Sequence, residues 1–563
     1  MKSATPSKQA NVLFPVGHLA RVLLLVAACL LAFLPGIASI PPTDRDESRY
    51  VQATKQMVET GDYADIRLQE ESRYKKPIGI YWLQSTYVLL SGQGADAPIW
   101  VYRLVSTTGG VLAVLGIYWA GARMFGARAG FIAALGLIGI FALNFEARIA
   151  KTDAMLLAAA VAAQAVLGAI YVSHRRGEQI ARALPWAFWI AQGVGILVKG
   201  PITPLLSILT VSTIVIFDRD RSWLRRLKPG IGLAITAAIA LPWLILISWR
   251  SGLEFWQESV GNDLFGKVVE GQESHGFPPG YFALTYALFM WPFALLALEA
   301  GLKALNRFRE DPRLLFLVSW YIPLWFFFEL IPTKLPHYVL PGYPALLLLM
   351  AWMLTDEDAG QIELRRWQVW LWRAGLFGAI LVTLALAAMA VGVVPFLTGG
   401  ISILGIVAGI AILAAGWFSA FGRGYTPEVR VGATVASTIV AFAILTGNIV
   451  PALSPMWLSP QIADMFEAVK PCPNSVLSSS HYHEPSLVFL TETDTRLVGP
   501  VDAAHDLLVD PECAVALIAT DQMQAFTEAL PAGLESVEEL GRIEGVNYSK
   551  GDPLILTFFG AAR

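Results

Sequence analysis

Apolar runs long enough to cross a lipid bilayer recur along this 563-residue chain, from about residue 19 to residue 450. A helix of about 20 apolar residues spans the hydrocarbon core, where every backbone polar group must be paired within the segment. Hydrophobic residues make up 55% of the chain and charged residues only 15%, so few of these runs are interrupted. The sequence therefore predicts a polytopic α-helical membrane protein.

About thirteen apolar runs qualify as spans by length and apolarity. The first follows a few basic residues but is longer than the apolar part of a secretory signal, so we expect it to remain as a helix. An odd number of spans places the two ends of the membrane region on opposite sides. The predicted spans lie near residues 19–40, 98–120, 128–146, 153–172, 184–199, 201–217, 230–249, 280–300, 313–330, 338–355, 370–395, 399–421 and 430–450.

Lys and Arg concentrate in every second turn, which is typical of turns that face the cytoplasm. This pattern predicts a cytoplasmic N-terminus and a non-cytoplasmic C-terminal segment. The apolar stretch 78–90 is then predicted as an interfacial helix, because a crossing there would reverse every later turn. The basic turns contain Arg123 and Arg128, Arg175 and Arg176, residues 218–226, Lys303 with Arg307 and Arg309, Arg365 with Arg366, and Arg423 with Arg430.

The unusual polar sequences then all fall on the non-cytoplasmic side. A charge at membrane depth costs about 2.5–3.5 kcal/mol, so charged loops that converge on one face indicate a functional site. The first loop is also rich in Lys and Arg, which an anionic ligand would explain. The net charge of −3 and the scattered basic clusters do not indicate a nucleic-acid partner. The polar sequences are residues 41–97, 148–153, 199–201, 251–280, 333–337 and the segment after residue 451.

Five short motifs occur in a fixed order across the membrane portion of the chain. Together they resemble the aminoarabinose transferase and protein O-mannosyltransferase group of polyprenyl-phosphate-dependent glycosyltransferases. The motifs are Asp46-Glu47-x-Arg49-Tyr50, Lys76-Pro77 leading to Tyr81-Trp82, Ala147-Arg148-x-Ala150-x-x-Asp153, Lys199-Gly200-Pro201, and Lys334-Leu335-Pro336-His337-Tyr338.

The resemblance implies a C-type glycosyltransferase fold in the bacterial inner membrane, with an active site open to the periplasm. Such enzymes pass a sugar from an undecaprenyl-phosphate-linked donor to lipid A in the aminoarabinose branch, or to Ser and Thr hydroxyls in the mannosyl branch. We expect a glycolipid acceptor, since no large extra domain suited to protein substrates stands out in the sequence, and we expect a monomer. The sugar stays open among aminoarabinose, galacturonate, mannose and glucose.

The expected chemistry requires both cations and carboxylates. Negative charge develops on the departing phosphate, and Lys76, Arg49 and Lys199 are the first candidates to stabilise it. A carboxylate orients or deprotonates an acceptor hydroxyl, and Asp46 and Asp153 are the candidates for this role, although a phosphate acceptor needs no base. The motifs imply further substrate contacts from Glu47, Tyr50, Tyr81, Arg148, Lys334, His337 and Tyr338.

Each of these residues also has a purely structural interpretation. Thr43 and Asp46 have the spacing of a capping box, and an acid at position 153 suits the start of a helix. Lys76 and Lys199 could snorkel to the membrane surface. A proline-shaped turn would explain Lys334 and His337.

A metal site has weaker support than the phosphate site. Related enzymes often carry an acidic residue immediately before the lysine that matches Lys76, and this chain has Lys75 there. His275 lies where related enzymes have a loop histidine, so a divalent ion stays open, and no other cofactor is expected.

The composition after residue 451 changes to that of a soluble α/β domain. We therefore expect a transmembrane domain at 1–450, whose first periplasmic loop is 41–97, and a periplasmic domain at 451–563. Strands are predicted at 475–480, 487–491, 514–519 and 554–559, and a helix at 522–530. In this segment Glu484 is expected to face the membrane site, in preference to a metal cluster with His481 and His483. Cys472 and Cys513 would pair in an oxidising compartment, and two free thiols fit equally well.

Two functions of other classes stay open. A transporter or lipid-linked sugar flippase would also use many helices and buried charge, but such proteins tend to show internal repeats and broken spans, which this sequence lacks. A catalytically inactive binding protein would also retain the motifs.

Overall fold

Long apolar helices dominate the computed structural model, which describes residues 17–43, 45–266, 276–531 and 533–562. Eight of the described helices are long and apolar enough to cross a membrane, and four further apolar helices are shorter. Each of the thirteen predicted spans coincides with a helix or, at residues 127–146 and 281–307, with a pair of helices. The chain is thus a multi-pass membrane protein, as the apolar runs predicted.

The helices of the membrane region are numbered here in chain order. Short 3₁₀ or π-helical turns lie at 94–96, 222–227, 257–265, 336–342, 422–424, 445–449 and 454–456. The helices are α1 (His18–Phe33), α2 (Asp46–Thr60), α3 (Gly79–Ser91), α4 (Ile99–Phe125), α5 (Ala127–Gly139), α6 (Phe141–Glu146), α7 (Asp153–Arg175), α8 (Leu184–Lys199), α9 (Ile202–Phe217), α10 (Pro229–Ser251), α11 (Glu254–Trp256), α12 (Tyr281–Phe289), α13 (Ala294–Arg307), α14 (Pro312–Leu330), α15 (Tyr343–Thr355), α16 (Glu357–Gln361), α17 (Arg366–Thr398), α18 (Ile403–Phe421) and α19 (Pro427–Ile444).

The loop after the first helix is ordered into α2, a short antiparallel hairpin of β1 (Arg67–Leu68) and β2 (Glu71–Ser72), and α3. Helix α2 ends at Gly61, whose φ of 70° suits glycine at a left-handed helix end. Helix α3 has only 13 residues and packs against α2, α4 and α8. Its predicted position at the membrane surface stays a prediction.

The C-terminal segment forms a five-stranded mixed sheet of order β4-β3-β5-β7-β6. Three of the four predicted strands are present, but the predicted strand at 487–491 is wrong, because Pro485 opens a helix there. The Cys472 and Cys513 side chains form a disulfide. The division at residue 450 stays a prediction. The elements are α20 (Leu458–Val469), β3 (Leu477–Ser480), α21 (Pro485–Leu490), β4 (Arg496–Val498), α22 (Pro500–Val509), β5 (Val515–Ala519), α23 (Met523–Ala529), β6 (Val537–Asn547) and β7 (Asp552–Ala561), with 3₁₀ turns at 520–522 and 533–536.

The sheet region rests on the first loop through polar contacts. Gln69 donates from its side-chain amide to the carbonyls of Thr493 (3.0 Å) and Thr495 (2.6 Å). Gln52 donates to the Thr493 hydroxyl, and Arg45 donates to the Ser549 carbonyl at 3.1 Å. These bonds join the first loop, including helix α2, to the C-terminal sheet region.

Candidate active site

A cavity of about 720 Å³ opens between the first loop and the ends of several membrane helices. The start of α2, the loop at residues 73–77, the first turn of α7 and the junction of α8 with α9 form its charged side. Aromatic side chains, including those of Trp243 and Phe255, form much of the rest. This combination suits a ligand with a charged head and an apolar tail.

Cations outnumber carboxylates in the lining of this cavity. Among the described residues, six lysines and arginines and three aspartates line it, which is an excess of three positive charges with histidine neutral. Charge-assisted bonds from such groups favour phosphate or carboxylate ligands. The cations are Arg49, Arg73, Lys75, Lys76, Lys151 and Lys199, and the aspartates are Asp46, Asp153 and Asp263.

Asp153 lies at the centre of a buried charge network. Lys199 donates from its Nζ to the Asp153 Oδ1 at 2.6 Å, and the Lys151 Nζ lies 3.8 Å from Oδ2. The His337 Nε2 is 3.6 Å from the Asp153 Oδ1. Two lysines and a histidine therefore surround this one carboxylate.

Glu146 extends the network away from the cavity. Its carboxylate lies 3.1 Å from the Lys151 Nζ and 3.7 Å from the His337 Nδ1. Burial opposes the charge on Lys151, but Glu146 and then Asp153 raise the pKa of this lysine above its ordinary value. Lys151 therefore stays protonated throughout the physiological range.

Lys76 lies at another part of the cavity and is also paired. Its Nζ donates to the Asp263 Oδ2 at 2.5 Å, and both side chains are mostly buried. A phosphate at Lys76 would compete with this carboxylate for the same ammonium group.

Asp46 differs from the other two aspartates of the lining. It is exposed, and no hydrogen bond or ion pair to its carboxylate occurs among the described residues. The capping box predicted from Thr43 and Asp46 is not formed, because helix α2 begins after Arg45 with no side-chain cap bond. The Thr43 N–H and hydroxyl donate instead to Glu47, at 2.9 and 2.8 Å. The Asp46 carboxylate is therefore available to a ligand.

Glu47, which lies outside the described cavity lining, links the start of α2, where Asp46 lies, to the turn before Asp153. Arg103 donates to both of its oxygens at 2.8 Å, and the Ala150 N–H donates to Oε1 at 2.8 Å. Burial alone would raise the pKa of Glu47, but Arg103 and the N–H groups of Ala150 and Thr43 lower it below the usual value. The ionised carboxylate ties the start of α2 to the turn before Asp153.

Eight of the thirteen predicted site residues line the cavity. Their position does not test their roles in binding or chemistry, which stay predictions. The ring of Tyr50 lies under the Arg73 guanidinium (5.3 Å), and that of Tyr338 under the Lys199 ammonium (5.8 Å). The eight residues are Asp46, Arg49, Tyr50, Lys76, Asp153, Lys199, His337 and Tyr338.

The other five predicted residues lie outside the lining. Besides Glu47, Tyr81 packs behind Tyr50, with ring centres 5.6 Å apart. Arg148 donates to the carbonyls of Pro35, Ala32 and Asn144 and so caps the ends of α1 and α6.

Lys334 and Glu484 also make structural contacts. Lys334 donates to the carbonyls of Phe277 (2.9 Å) and Ile331 (2.5 Å). Glu484, which we expected to face the membrane site, instead accepts from Asn547 (3.0 Å) and Ser549 (2.5 Å) within the sheet region. These contacts place both side chains outside the described lining of the cavity, and their predicted roles in substrate binding stay predictions.

The sequence interpretation missed Lys151, Glu146 and Asp263. Lys151 falls at an unspecified position of the third motif, and its charge beside Asp153 was the available signal. Asp263 is 187 positions from Lys76 in the chain, so no local pattern could pair them.

No metal-binding group of three or more His, Cys, Asp or Glu residues occurs in the described ranges. His275, the residue expected at a divalent ion, lies outside them. His481 and His483 contact different partners. His481 lies 3.0 Å from the Asp521 carboxylate, and His483 lies 3.1 Å from the carbonyls of Ser479 and Val498.

Comparison with known proteins gives relatives in sequence. The family described as dolichyl-phosphate-mannose-protein mannosyltransferase matches residues 21–257. An undecaprenyl phosphate-alpha-4-amino-4-deoxy-L-arabinose arabinosyl transferase of Aeromonas hydrophila is 28% identical over 348 residues, which cover 61% of each chain. The enzyme of the same name from Serratia proteamaculans is 26% identical over 353 residues, 62% of this chain and 61% of that one. The chain is a relative of these glycosyltransferases. The aligned regions thus span less than two thirds of these two relatives.

Solved structures share the fold over nearly the whole chain. The crystal structure of ArnT from Cupriavidus metallidurans bound to undecaprenyl phosphate matches with a TM-score of 0.73 at 21% identity, over 96% of this chain and 98% of that one. The apo oligosaccharyltransferase of Archaeoglobus fulgidus matches with a TM-score of 0.55 at 12% identity, over 98% and 75%. The comparisons confirm the predicted resemblance and the C-type glycosyltransferase fold.

Proposed function

We propose that this protein is an integral-membrane glycosyltransferase of the bacterial inner membrane. It moves a sugar from an undecaprenyl-phosphate-linked donor to an acceptor on the periplasmic side, lipid A or another glycolipid. The observation that carries the proposal is the cavity of about 720 Å³, whose described lining residues include three more cations than carboxylates and a large apolar part. A polyprenyl phosphate has the matching anionic head and apolar tail.

The proposed orientation places the N-terminus in the cytoplasm and residues 451–563 in the periplasm as a separate domain. The Lys and Arg of alternate turns support this orientation. The Cys472–Cys513 disulfide supports it independently, because disulfides persist in oxidising compartments such as the periplasm. We also propose that the protein acts as a monomer.

The donor phosphate is assigned to Lys76, Arg49 and the neighbouring Arg73 and Lys75. Transfer breaks the bond between the anomeric carbon and the phosphate oxygen, and the electron pair leaves with the phosphate. Cations fixed around that oxygen stabilise the developing charge without rearrangement. Lys76 is held in place by Asp263 until the phosphate replaces that carboxylate.

The two candidate aspartates are assigned different roles. Asp153 is already paired with Lys199 and lies close to Lys151 and His337, so its role is to hold these groups around the sugar. The exposed carboxylate of Asp46 orients the acceptor and takes the proton of an attacking hydroxyl. An acceptor phosphate attacks without proton removal, and Asp46 then only positions it.

A divalent ion near His275 stays a prediction. Lys75 lines the cavity next to Lys76, and its ammonium would repel a cation at that position. If activity is retained after treatment with a chelator, the transfer reaction does not require a divalent ion.

The match of residues 21–257 to the protein mannosyltransferase family favours a second candidate, transfer to Ser or Thr hydroxyls of proteins. Mass spectrometry of lipid A and of periplasmic glycoproteins from a deletion strain distinguishes the two. Loss of one sugar from lipid A supports the glycolipid acceptor, whereas loss from glycoproteins supports the second candidate. If the deletion changes neither the lipid A nor the glycoproteins, and re-expression of the gene also changes neither, both acceptors are contradicted.

A further inference from the structure

A second cavity, of about 500 Å³, lies between α13, α17 and α18. Within the described residues it shares no lining side chain with the candidate active site. Its volume is in the range of about 300–1,000 Å³ that ligand pockets occupy. Neither the motifs nor the proposed transfer reaction uses it.

The lining of this cavity, which we call the α17–α18 cavity, is almost entirely apolar. Thr383 and the indole of Trp417 are the only polar side chains among its described lining residues. The Thr383 hydroxyl is already engaged, since it donates to the Ala379 carbonyl and accepts from the Trp291 indole. Water needs about two to four polar partners in such a space, so it is a poor occupant.

The rim of the α17–α18 cavity faces the surrounding lipid. Leu384, Ile410, Leu413 and Trp417 are between 43% and 61% exposed on helices that cross the membrane. A gap in an apolar surface that is bathed in lipid tails is filled by a tail. The volume and the apolar lining of this cavity therefore fit one acyl chain.

A cationic group lies at one end of the same cavity. Leu295 and Phe421 line the cavity at this end. Glu299 lies one turn beyond Leu295 on α13, and Arg423 lies in the 3₁₀ turn that follows Phe421, the last residue of α18. Trp372 of α17 joins them there, because its indole donates to Glu299 at 3.1 Å and lies under the Arg423 guanidinium at 5.7 Å.

The Arg423 side chain is 66% exposed, and its contact to Glu299 is long, 3.7 Å. Lys303 also contacts Glu299, at 3.2 Å, so the two cations exceed the single carboxylate by one charge. Basic pockets between membrane helices bind the head groups of anionic lipids. The tryptophan indole beside Arg423 is typical of the head-group level of a membrane.

We propose that the α17–α18 cavity binds one anionic phospholipid, with an acyl chain between α17 and α18 and the phosphate at Arg423. The ligand is a bilayer phospholipid and not the polyprenyl-phosphate donor. Binding at this site is independent of the transfer reaction.

The test is native mass spectrometry of the full-length protein, delipidated and titrated with phosphatidylglycerol or with phosphatidylcholine of the same acyl chains. We expect wild type to retain one phosphatidylglycerol preferentially. Arg423→Gln should reduce that preference about fivefold, the effect of one basic residue at an anionic head group. Arg219→Gln, in an exposed turn, is the charge-matched control.

Ala414→Phe fills the cavity and should reduce retention of both lipids at least about tenfold, since it removes the acyl-chain space. Val407→Phe, on the exposed face of the same helix but outside the lining, is the matched control. Leu413→Trp at the rim supplies the same test if Ala414→Phe does not fold. Equal retention in Ala414→Phe and Val407→Phe, or equal affinity for the two lipids in wild type, would overturn the proposal.

Discussion

The Lys199 ammonium and the Asp153 carboxylate meet at 2.6 Å, although 46 residues separate them in the chain. They come from the end of α8 and the start of α7, and this contact joins two of the five sequence motifs in one charge network. Neither group is simply a helix cap or a snorkelling lysine. The pair gives the cavity a fixed arrangement of charge before a ligand arrives.

Replacement of Lys76 by alanine tests the phosphate site. We expect the affinity for a polyprenyl-phosphate donor to fall at least about tenfold, because a charge-assisted contact contributes about 1.5–3 kcal/mol. Lys76→Arg should retain part of the affinity, and the exposed Lys550→Ala is the control. The measurement is donor binding in detergent, by fluorescence or calorimetry. An unchanged affinity in Lys76→Ala would show that Lys76 is only a structural partner of Asp263.

Asparagine substitutions test the different roles assigned to Asp46, whose carboxylate faces the ligand, and Asp153, whose carboxylate belongs to the buried charge network. Both Asp46→Asn and Asp153→Asn should lose most turnover. Only Asp153→Asn should also lower the melting temperature, because it removes the carboxylate that pairs with the half-buried Lys199 and lies close to the buried Lys151, at a cost of about 3–5 kcal/mol.

Transfer assays run beside thermal unfolding distinguish these outcomes. Full activity in both variants would reduce the aspartates to structural residues. A lowered melting temperature in Asp46→Asn alone would reverse their assignment.

The Glu47–Arg103 pair should make the protein sensitive to acid. The pKa of Glu47 lies below the ordinary value of about 4.3, so its stabilisation is complete above that pH. The stabilisation is lost as the pH falls through the folded-state pKa, because the unfolded chain then binds more protons.

Glu47→Gln should therefore lower the melting temperature at pH 7 and flatten its fall below about pH 4. Thermal unfolding across pH 3–8 measures both effects, with Glu544→Gln on the exposed side of the sheet as the control. An acid profile in Glu47→Gln identical to that of wild type would show that another carboxylate governs acid stability.

Much of the fold and part of the site could be predicted from the sequence, for physical reasons that differ between residues. The spans followed from length and apolarity, and Asp153, Lys199 and His337 followed from motifs. Lys151 was missed because a lysine at a helix start has an ordinary structural interpretation, and only the three-dimensional packing against Glu146 reveals its place.

Errors in the C-terminal segment have equally definite causes. Residues 487–491 have the composition of a strand, but Pro485 suits the first turn of a helix, and Leu487 packs into the core of the sheet. Glu484 accepts from Asn547 and Ser549 within the sheet region, and its expected place at the membrane site stays a prediction. Local composition does not show which partner a buried polar group will find.

Reporter fusions test the proposed orientation. Reporters near Gly94 and at Arg563 should be exported, and reporters near Arg221 and Arg365 should stay in the cytoplasm, because Lys and Arg concentrate in the latter turns. Alkaline phosphatase and fluorescent-protein fusions report the two sides. A cytoplasmic signal at Arg563 would move the whole cavity to the wrong face for a periplasmic acceptor.

Transfer by the purified protein tests the central claim most directly. Full-length protein in nanodiscs is supplied with a synthetic undecaprenyl-phosphate sugar and lipid A, and products are read by mass spectrometry for each candidate sugar. We predict glycosylated lipid A and free undecaprenyl phosphate in equal amounts, with both absent in Asp153→Asn. The absence of product from every candidate donor and acceptor, protein acceptors included, in a preparation that binds the donor would contradict the account.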